Sequence, residues 1–395
     1  MYEVRLKPGR ERALLRRHPW VFSGAVASLQ GDPPDGETVR LVAADGSFLA
    51  WGAYSSHSQI RVRAWSWNPD ERIDADFLRT RLERALAARK ALVLPQETNA
   101  LRLVHAESDG LPGLIVDRYA DTLVVQLLSS GPERWREQIV AALVELSQPA
   151  CIYERSDAGV RELEGLPLRT GLLYGEMPAD ALQIHENGLK FWVDVRQGHK
   201  TGYYLDQRQN RLHVGQLAGG RQVLDCFSYT GGFAAFALAH GAAGLTAIDA
   251  SEEALDMARR NLALNDLPAG PVEWLPADVF QALRAFRDQG RSFDLVILDP
   301  PKFAATAAQA TRAARGYKDI NLLAFKLLRP GGLLATFSCS GGVDPDLFQK
   351  IVAGAALDAG VQAQIVGRLQ QSSDHPVALN FPEGAYLKGL VLRLL

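Results

Sequence analysis

The chain has few cysteines and no long uninterrupted apolar segment. Its three cysteines, Cys151, Cys226 and Cys339, lack the close spacing of a zinc site or a small disulfide framework. Alternating charges from Glu3 to Arg12 replace the apolar core of a signal peptide, and no apolar run is long enough to cross a bilayer. The composition therefore disfavours a disulfide scaffold, a metal site and a membrane protein. It predicts a cytoplasmic globular protein.

The chain also lacks a strong excess of one charge. Its formal net charge is −2, so any affinity for nucleic acid has to come from a local patch. Residues 1–20 provide such a patch, because six basic residues stand there against two acidic ones. The predicted RNA-binding residues are Lys7, Arg10, Arg12, Arg16 and Arg17. A plain solvated surface is the alternative.

The first half of the chain predicts two domains. Residues 1–68 contain short β-rich runs separated by turns, which predict a small β-barrel. These runs are Val39–Ala43, Phe48–Tyr54 and Ile60–Trp65. Residues 69–184 mix strands with helices and predict an α+β middle domain. Its first helix should begin after Asp74, with one apolar face formed by Phe77, Leu78, Leu82, Ala85, Leu86 and Leu92.

From residue 185 to residue 395 the pattern changes to buried strands that alternate with helices. This pattern is typical of a parallel, doubly wound α/β sheet. The predicted strands are Val223–Cys226, Leu245–Ile248, Leu295–Leu298 and Leu333–Phe337. Ligands of such sheets bind at the carboxyl ends of the strands, so we expect the chemistry at that edge.

The first of these strands ends with Asp225 and Cys226 and leads through a glycine-containing loop into an alanine-rich helix. Glycine lets backbone amides approach a ligand, and a helix N-terminus attracts a carboxylate. Asp249 ends the next strand, 24 residues later, close to the spacing at which an acid binds a ribose hydroxyl. The loop lacks the G-x-G-x-x-G spacing of pyrophosphate sites, which favours S-adenosylmethionine over NAD. Predicted cofactor contacts are Asp225, Phe227, Tyr229, Gly231, Asp249 and Asp278. Loop capping is the alternative for Asp225 and Asp278.

Another acid, Asp299, is followed by two prolines, Lys302 and Phe303. The prolines fix the backbone and remove two donors, so the Asp299 carboxylate should be held rigidly beside the methyl group of the cofactor. Asp299 is therefore predicted to contact both the cofactor and the base that is modified. Lys302 is predicted either to lower a thiol pKa or to bind phosphate, and a solvated lysine is an equal alternative.

Cys339 comes directly after another strand of the sheet, in a Ser-Cys-Ser-Gly-Gly sequence. A thiol at this edge suits methylation at carbon 5 of cytosine, because that carbon is too weak a nucleophile to react directly. A thiolate that adds to carbon 6 makes carbon 5 enamine-like, and an acid such as Asp299 assists by protonating or binding the ring. Cys151 and Cys226 lie in apolar strands and are predicted to be buried hydrophobes.

At these motifs the sequence resembles the ribosomal RNA large subunit methyltransferase I family of bacterial 23S RNA cytosine-5 methyltransferases. The resemblance rests on Gly198–Arg208, Cys226–Phe233, Asp299–Phe303, Arg315–Asn321, Phe337–Gly341, Asp374–Pro376 and Pro382–Gly384. It implies a PUA-like RNA-binding domain over residues 1–68 and a Rossmann-like class I methyltransferase domain over residues 185–395. It also implies that Gln207 and Arg208 lie near the cofactor and that Cys339 is the nucleophile.

One position departs from other RNA cytosine-5 methyltransferases. They often carry a second cysteine after the proline pair, credited with helping product release, where this chain has Lys302. Two alternatives stay open: methylation of a base nitrogen such as guanine N7 on the same scaffold, and a non-catalytic RNA-binding assembly factor. The nucleotide, the choice between naked RNA and an assembling subunit as substrate, and a homodimer are also open.

Overall fold

A computed structural model describes residues 2–94, 96–178, 181–268, 272–303 and 310–395, with only the backbone of residues 310–312. The chain folds into two compact units. Unit 1 comprises Met1–Ile184, Val193–Leu205 and Ser373–Gly384. Unit 2 comprises His185–Trp192, Asp206–Ser372 and Ala385–Leu395. The three-domain boundaries expected from the sequence stay a prediction.

The N-terminal part of unit 1 is a six-stranded sheet. Its elements are β1 Glu3–Leu6, α1 Arg12–Leu15, β2 Trp20–Phe22, β3 Val26–Gln30, β4 Thr38–Val42, β5 Phe48–Tyr54 and β6 Ile60–Ser66. The strand order is β2-β6-β5-β4-β1-β3, with β1 and β4 parallel and the other pairs antiparallel. Alternate side chains such as Val39 and Leu41 are fully buried, as a half-buried strand requires. The three predicted strands are confirmed to within a residue, whereas β1, β2 and β3 were not predicted.

The remainder of unit 1 contains a five-stranded sheet with order β11-β10-β9-β8-β7. Its elements are α2 Ala75–Leu92, β7 Ala100–His105, β8 Leu114–Tyr119, β9 Thr122–Leu127, α3 Ser130–Arg134, α4 Arg136–Ser147, β10 Cys151–Ser156, α5 Val160–Leu163 and β11 Arg169–Gly175. Asp74 caps α2 as predicted, since its side chain accepts a hydrogen bond from the Phe77 amide. The prediction for Leu92 was wrong. Its side chain is 51% exposed, because the helix ends there and the apolar face no longer meets the core.

The second half of the chain begins with a hairpin and continues as a seven-stranded sheet. The hairpin strands are β12 Leu182–Glu186 and β13 Leu189–Val193. The strands of this sheet and the helices along the same part of the chain are α6 Arg208–Gln216, β14 Gln222–Cys226, α7 Gly232–Ala239, β15 Gly244–Asp249, α8 Glu252–Leu264, β16 Val272–Pro276, α9 Val279–Asp288, β17 Phe293–Leu298, α10 Ala310–Leu327, β18 Leu328–Ser338, α11 Pro345–Ala359, β19 Ala363–Gln370 and β20 Lys388–Leu394. No helix in the described ranges is both long and apolar enough to span a membrane.

The strand order of this sheet is β16-β15-β14-β17-β18-β20-β19. The five strands from β14 to β18 are parallel, as the sequence predicts, but β20 pairs antiparallel with both β18 and β19. The wholly parallel sheet was therefore an incomplete prediction. After β14 the chain moves outward to β15 and β16 and then returns to β17 on the other side. This reversal makes a topological switch point between β14 and β17, where open α/β sheets bind ligands.

Candidate active site

Three carboxylates meet at the switch point, on the adjacent strands β15, β14 and β17. Asp225 lies one residue before the end of β14, Asp249 ends β15, and Asp299 follows β17 directly. Burial raises the pKa of Asp225 well above its ordinary value, and the neighbouring Asp299 and Asp249 carboxylates raise it further. The sheet thus brings together three of the acids that the sequence analysis selected.

The buried Asp225 carboxylate is the group at this edge that most clearly lacks partners. Neither of its oxygens has a hydrogen bond of good geometry to a residue in the described ranges, although the Ala234 amide partly offsets the rise of its pKa. A buried carboxylate without donors is costly, so such a group points to a ligand that donates hydrogen bonds or carries positive charge. S-adenosylmethionine offers both, and the residues present therefore fit it.

The loop between β14 and α7 is held in an unusual backbone conformation. Phe227, Tyr229 and Gly231 have φ angles of +62°, +48° and +78°. Glycine is required at the last of these, because a Cβ on Gly231 would lie 2.7 Å from the Cβ of Ala258. Left-handed conformations of non-glycine residues cost energy and concentrate at ligand sites, where they direct backbone amides inward.

Asp249 connects this loop to the neighbouring strand. One carboxylate oxygen accepts a hydrogen bond from the Tyr229 amide at 2.8 Å, and the other accepts one from the Ser251 amide at 3.0 Å. The side chain therefore stabilises the loop as well as facing the edge. Each oxygen keeps a second lone pair, which leaves it able to accept a ribose hydroxyl.

Asn261 also positions the loop, and the sequence analysis missed it. This fully buried side chain donates to the Thr230 carbonyl at 2.9 Å and accepts from the Trp192 amide at 2.7 Å. It therefore ties the loop to strand β13. The detectable signal was an asparagine on the apolar face of α8, among Leu255, Ala258 and Leu262.

Cys339 lies just beyond the end of β18, on the strand next to β17. The parallel register pairs Leu298 with Thr336, so Asp299 and Cys339 both follow their strands at the same edge. Cys339 is partly exposed, whereas Cys151 and Cys226 are buried, as predicted for these two. Burial raises the pKa of the Cys226 thiol well above its ordinary value, which makes that thiol unreactive.

A buried lysine lies beside Cys339, and the sequence analysis missed it too. Lys388 pairs with Ser338 across β18 and β20, and its Nζ donates to the Ser340 carbonyl at 2.7 Å. Burial lowers the pKa of Lys388 to about 8, an effect that Cys339 and Asp344 oppose and Lys302 reinforces. Its signal was a lysine at the start of a strand that is apolar apart from Arg393.

The other predicted site residues occupy different environments. Gln207 and Arg208 are buried at the start of α6, which packs on α7 through the contact of Gly215 with Phe236. Asp278 caps α9 by accepting from the Gln281 amide at 2.9 Å, which is the capping alternative considered for it. Lys302 is exposed.

The five predicted RNA-binding residues are all exposed. Lys7 donates to the Gly24 carbonyl at 3.0 Å, and Arg17 adopts a φ of +64° after the end of α1. Exposure is what a polyanion contact requires.

Comparison with known proteins gives the family. Residues 168–393 match the S-adenosylmethionine-dependent methyltransferase family, and residues 4–67 match the PUA-like domain family. Relatives named ribosomal RNA large subunit methyltransferase I are 56% identical in Shewanella amazonensis, over 99% of both chains, and 53% identical in Aeromonas salmonicida, over 99% of this chain and 98% of the relative.

Solved structures show the same fold. A chain from Streptococcus mutans that is described as a SAM-dependent methyltransferase superposes with a TM-score of 0.87 at 22% identity, with 100% of both chains covered. Another, a methyltransferase complexed with SAH, gives 0.88 at 22% identity over 100% of both chains. The expected fold class and cofactor are confirmed. With this identity over almost its whole length, the chain belongs to the ribosomal RNA large subunit methyltransferase I family, and it is an S-adenosylmethionine-dependent methyltransferase with a PUA-like N-terminal domain.

Proposed function

We propose that this protein methylates carbon 5 of a cytosine in 23S ribosomal RNA, with Cys339 as a covalent nucleophile. The relatives are named for the RNA of the large ribosomal subunit, which supports ribosomal RNA as the substrate. The observation that carries the proposal is the position of Cys339, a partly exposed thiol at the same sheet edge as Asp299 and beside Lys388. Methylation of a base nitrogen needs no thiol there.

In the proposed reaction the Cys339 thiolate attacks carbon 6 of the cytosine and forms a carbon–sulfur bond. Asp299 donates a proton or a hydrogen bond at N3, which takes up the electron pair displaced from the ring. S-adenosylmethionine supplies an electrophilic methyl group, which carbon 5 accepts as the sulfonium–carbon bond breaks. A base then removes the carbon 5 proton, the electron pair re-forms the ring double bond, and Cys339 leaves as thiolate while N3 loses its proton.

Two lysines support a thiolate at this position. Lys388 is held on the Ser340 carbonyl, and Lys302 lies close enough to lower the pKa of Lys388. A cation near a thiol favours the thiolate over the thiol. Tyr317 shares a hydrogen bond of 2.9 Å with the Ser340 hydroxyl, which adds to the fixed polar frame around the nucleophile.

The same proposal assigns the remaining predicted residues. Around the cofactor we place Gln207, Arg208, Asp225, Phe227, Tyr229, Gly231, Asp249, Asp278 and Asp299. The basic residues Lys7, Arg10, Arg12, Arg16 and Arg17 contact RNA phosphates. The Asp278 side chain also caps α9.

The product decides between cytosine and the alternatives. Labelled methyl groups are transferred from S-adenosylmethionine to 23S RNA extracted from a strain that lacks this protein, and the RNA is digested to nucleosides. Label in 5-methylcytidine is the expected result. Label in 7-methylguanosine would overturn the cysteine mechanism. No label on naked RNA or on immature subunits, together with no cofactor binding in calorimetry, would leave the non-catalytic assembly factor.

The nucleophile is tested with Cys339→Ala and with Cys151→Ala as the matched control. Cys151 is a buried thiol in unit 1, so its replacement should leave methyl transfer unchanged. Cys339→Ala should reduce the transfer rate by about 10⁴-fold or more, as loss of a covalent nucleophile does elsewhere. Transfer at a normal rate by Cys339→Ala would show that no covalent adduct is needed.

A further inference from the structure

Unit 1 contains a pocket with a volume of about 480 Å³, and all of its lining residues belong to unit 1. Six of its lining residues matter here: Arg16, Arg17, Trp67, Arg81, Leu379 and Asn380. They come from the turn after α1, the end of the six-stranded sheet, helix α2 and the segment Ser373–Gly384. Three arginines and one aromatic ring therefore share a cavity of nucleotide size.

The charge of the pocket is positive. Arg16 and Arg17 are exposed, and neither has an ion-pair partner among the residues that the structure describes. The pocket carboxylate, Glu71, is already engaged, because it accepts hydrogen bonds from Ser66 and from Arg81. Burial lowers the pKa of Arg81, and the nearby Arg84 lowers it further. An anion placed here would relieve this crowding of cations.

The aromatic wall of the pocket is fixed in orientation. Trp67 is half-buried, packs against the core of the six-stranded sheet and donates from Nε1 to the Leu14 carbonyl at 2.9 Å. The Arg17 guanidinium lies over its ring, 5.8 Å from the centroid. A rigid, partly open indole beside arginines is the arrangement on which unpaired bases stack.

The segment Ser373–Gly384 supplies another part of the pocket lining. Asn380 donates from its side chain to the Arg17 carbonyl, and the Arg17 amide donates to Leu14 at 2.8 Å. These bonds hold the Arg17 backbone in its left-handed conformation, so the base of this side chain is positioned before any ligand arrives. Leu379, in the same segment, is completely exposed. An exposed leucine at a pocket rim gains stability when a flat apolar ligand covers it.

We infer that this pocket binds one unpaired nucleotide of an RNA strand, with its base on Trp67 and its phosphate near Arg16, Arg17 and Arg81. The combination of ring and arginines favours a nucleotide over an acidic peptide, which would use the charges but not the indole face. The inference rests on the proposed RNA methyltransferase function and adds to it a recognition site for single-stranded RNA. A duplex cannot offer a base to this ring, because its bases are stacked on one another.

The experiment measures anisotropy of a labelled single-stranded ribonucleotide 12-mer, and of the same sequence in a full duplex, with the full-length protein. Trp67→Ala should weaken binding of the single strand by about tenfold, and Trp67→Phe should retain most of it. Arg17→Ala should weaken binding by several-fold and reduce the salt dependence by about one phosphate contact. Arg79→Ala is the matched control. Like Arg81, Arg79 lies on α2 and pairs with a glutamate, Glu145, but it does not line the pocket. The Arg79→Ala variant should therefore bind the single strand with unchanged affinity.

Thermal unfolding of each variant separates binding from folding, and Arg17→Ala keeps the test decisive if Trp67→Ala unfolds. If the pocket variants bound the single strand with wild-type affinity, the proposed nucleotide pocket would be overturned. The RNA methyltransferase function would still stand if labelled methyl groups reached RNA. Equal losses for single strand and duplex would overturn the unpaired-base reading. If a polyglutamate peptide displaced the single strand from the wild-type protein but not from Arg17→Ala, the occupant of the pocket would be an acidic protein and not RNA. A wild-type protein that neither binds nor methylates RNA would overturn both proposals.

Discussion

Buried charges are arranged in opposite ways in two parts of this molecule. In unit 1 they are paired: Arg102 and Asp117 form two hydrogen bonds of 2.8 Å, and Arg89 and Asp109 bond at 2.8 and 2.6 Å. At the sheet edge of unit 2, carboxylates instead face one another around Asp225, whose oxygens lack partners among the described residues. Paired charges stabilise a fold, whereas buried like charges cost stability.

The difference distinguishes a buried charge whose partners lie within the fold from one whose partners the described residues do not supply. Asp117 also accepts from the Thr201 hydroxyl at 2.7 Å, so its hydrogen-bonding capacity is used within the protein. The hydrogen-bonding capacity of Asp225 is not used in this way. A buried group that the fold leaves unsatisfied is kept for a reason outside the fold, and ligand binding is the common one.

The largest expected effect is the loss of one paired charge. Arg102→Met would leave Asp117 buried without its cation and should lower the free energy of unfolding by about 3–5 kcal/mol. Urea denaturation of the full-length protein measures this. A double variant, Arg102→Met with Asp117→Leu, should recover much of the loss. A single variant as stable as wild type would break the comparison, because pairing would then contribute nothing.

The next effect concerns the loop of the cofactor site. Gly231→Ala should lower the free energy of unfolding by about 1–3 kcal/mol and abolish measurable cofactor binding, because of the contact with Ala258 and the positive φ. Gly241→Ala is the control, since Gly241 has a φ of +81° but no atom within 4 Å of a Cβ. Calorimetric titration of both variants with S-adenosylmethionine makes the comparison. Equal affinities would show that the loop tolerates the shift.

Neutralising Asp225 should raise the stability of the fold, whereas neutralising Asp117 should lower it. Because its pKa is raised, Asp225 in the folded protein keeps a proton that the unfolded chain has already lost. The contribution of Asp225 to the stability of the wild-type protein therefore falls as the pH rises above the pKa of the unfolded chain, near 4. Asp225→Asn should remove this fall and raise the melting temperature at pH 7, while it weakens cofactor binding. Asp117→Asn should lower the melting temperature. Melting curves between pH 4 and pH 8 are the measurement, and a lower melting temperature for Asp225→Asn would contradict the argument.

The smallest effect is expected at Cys339. Lys388→Met should slow alkylation of this thiol by iodoacetamide by about three- to tenfold at pH 7, because a cation that favours the thiolate is lost. Lys388→Arg should stay near the wild-type rate. The difference between wild type and Lys388→Met should shrink above a pH of about 8, where Lys388 loses its charge. Mass spectrometry of the alkylated peptide follows Cys339 alone. A pH profile unchanged in Lys388→Met would exclude this role.

Much of the fold could be predicted from periodicity, since β5 and the cap of α2 agree with the sequence. The antiparallel strand β20 could not, because its apolar residues are compatible with either direction and long-range pairing decides between them. The short strands β1, β2 and β3 were missed for a related reason. A run of three to five residues carries too little pattern to stand out.

The sequence by itself determined which residues we predict to carry chemistry: the acids at the ends of three strands, the proline pair, and one thiol at a strand end. These residues are identified by residue type and spacing, which can be read directly from the sequence. Only the tertiary structure decided which groups are neighbours. Lys388 follows Cys339 by almost fifty residues, and the segment with Asn380 returns to Arg17 from the far end of the chain. Such contacts depend on strand pairing and burial, whose energies are set by the whole fold and not by any local pattern.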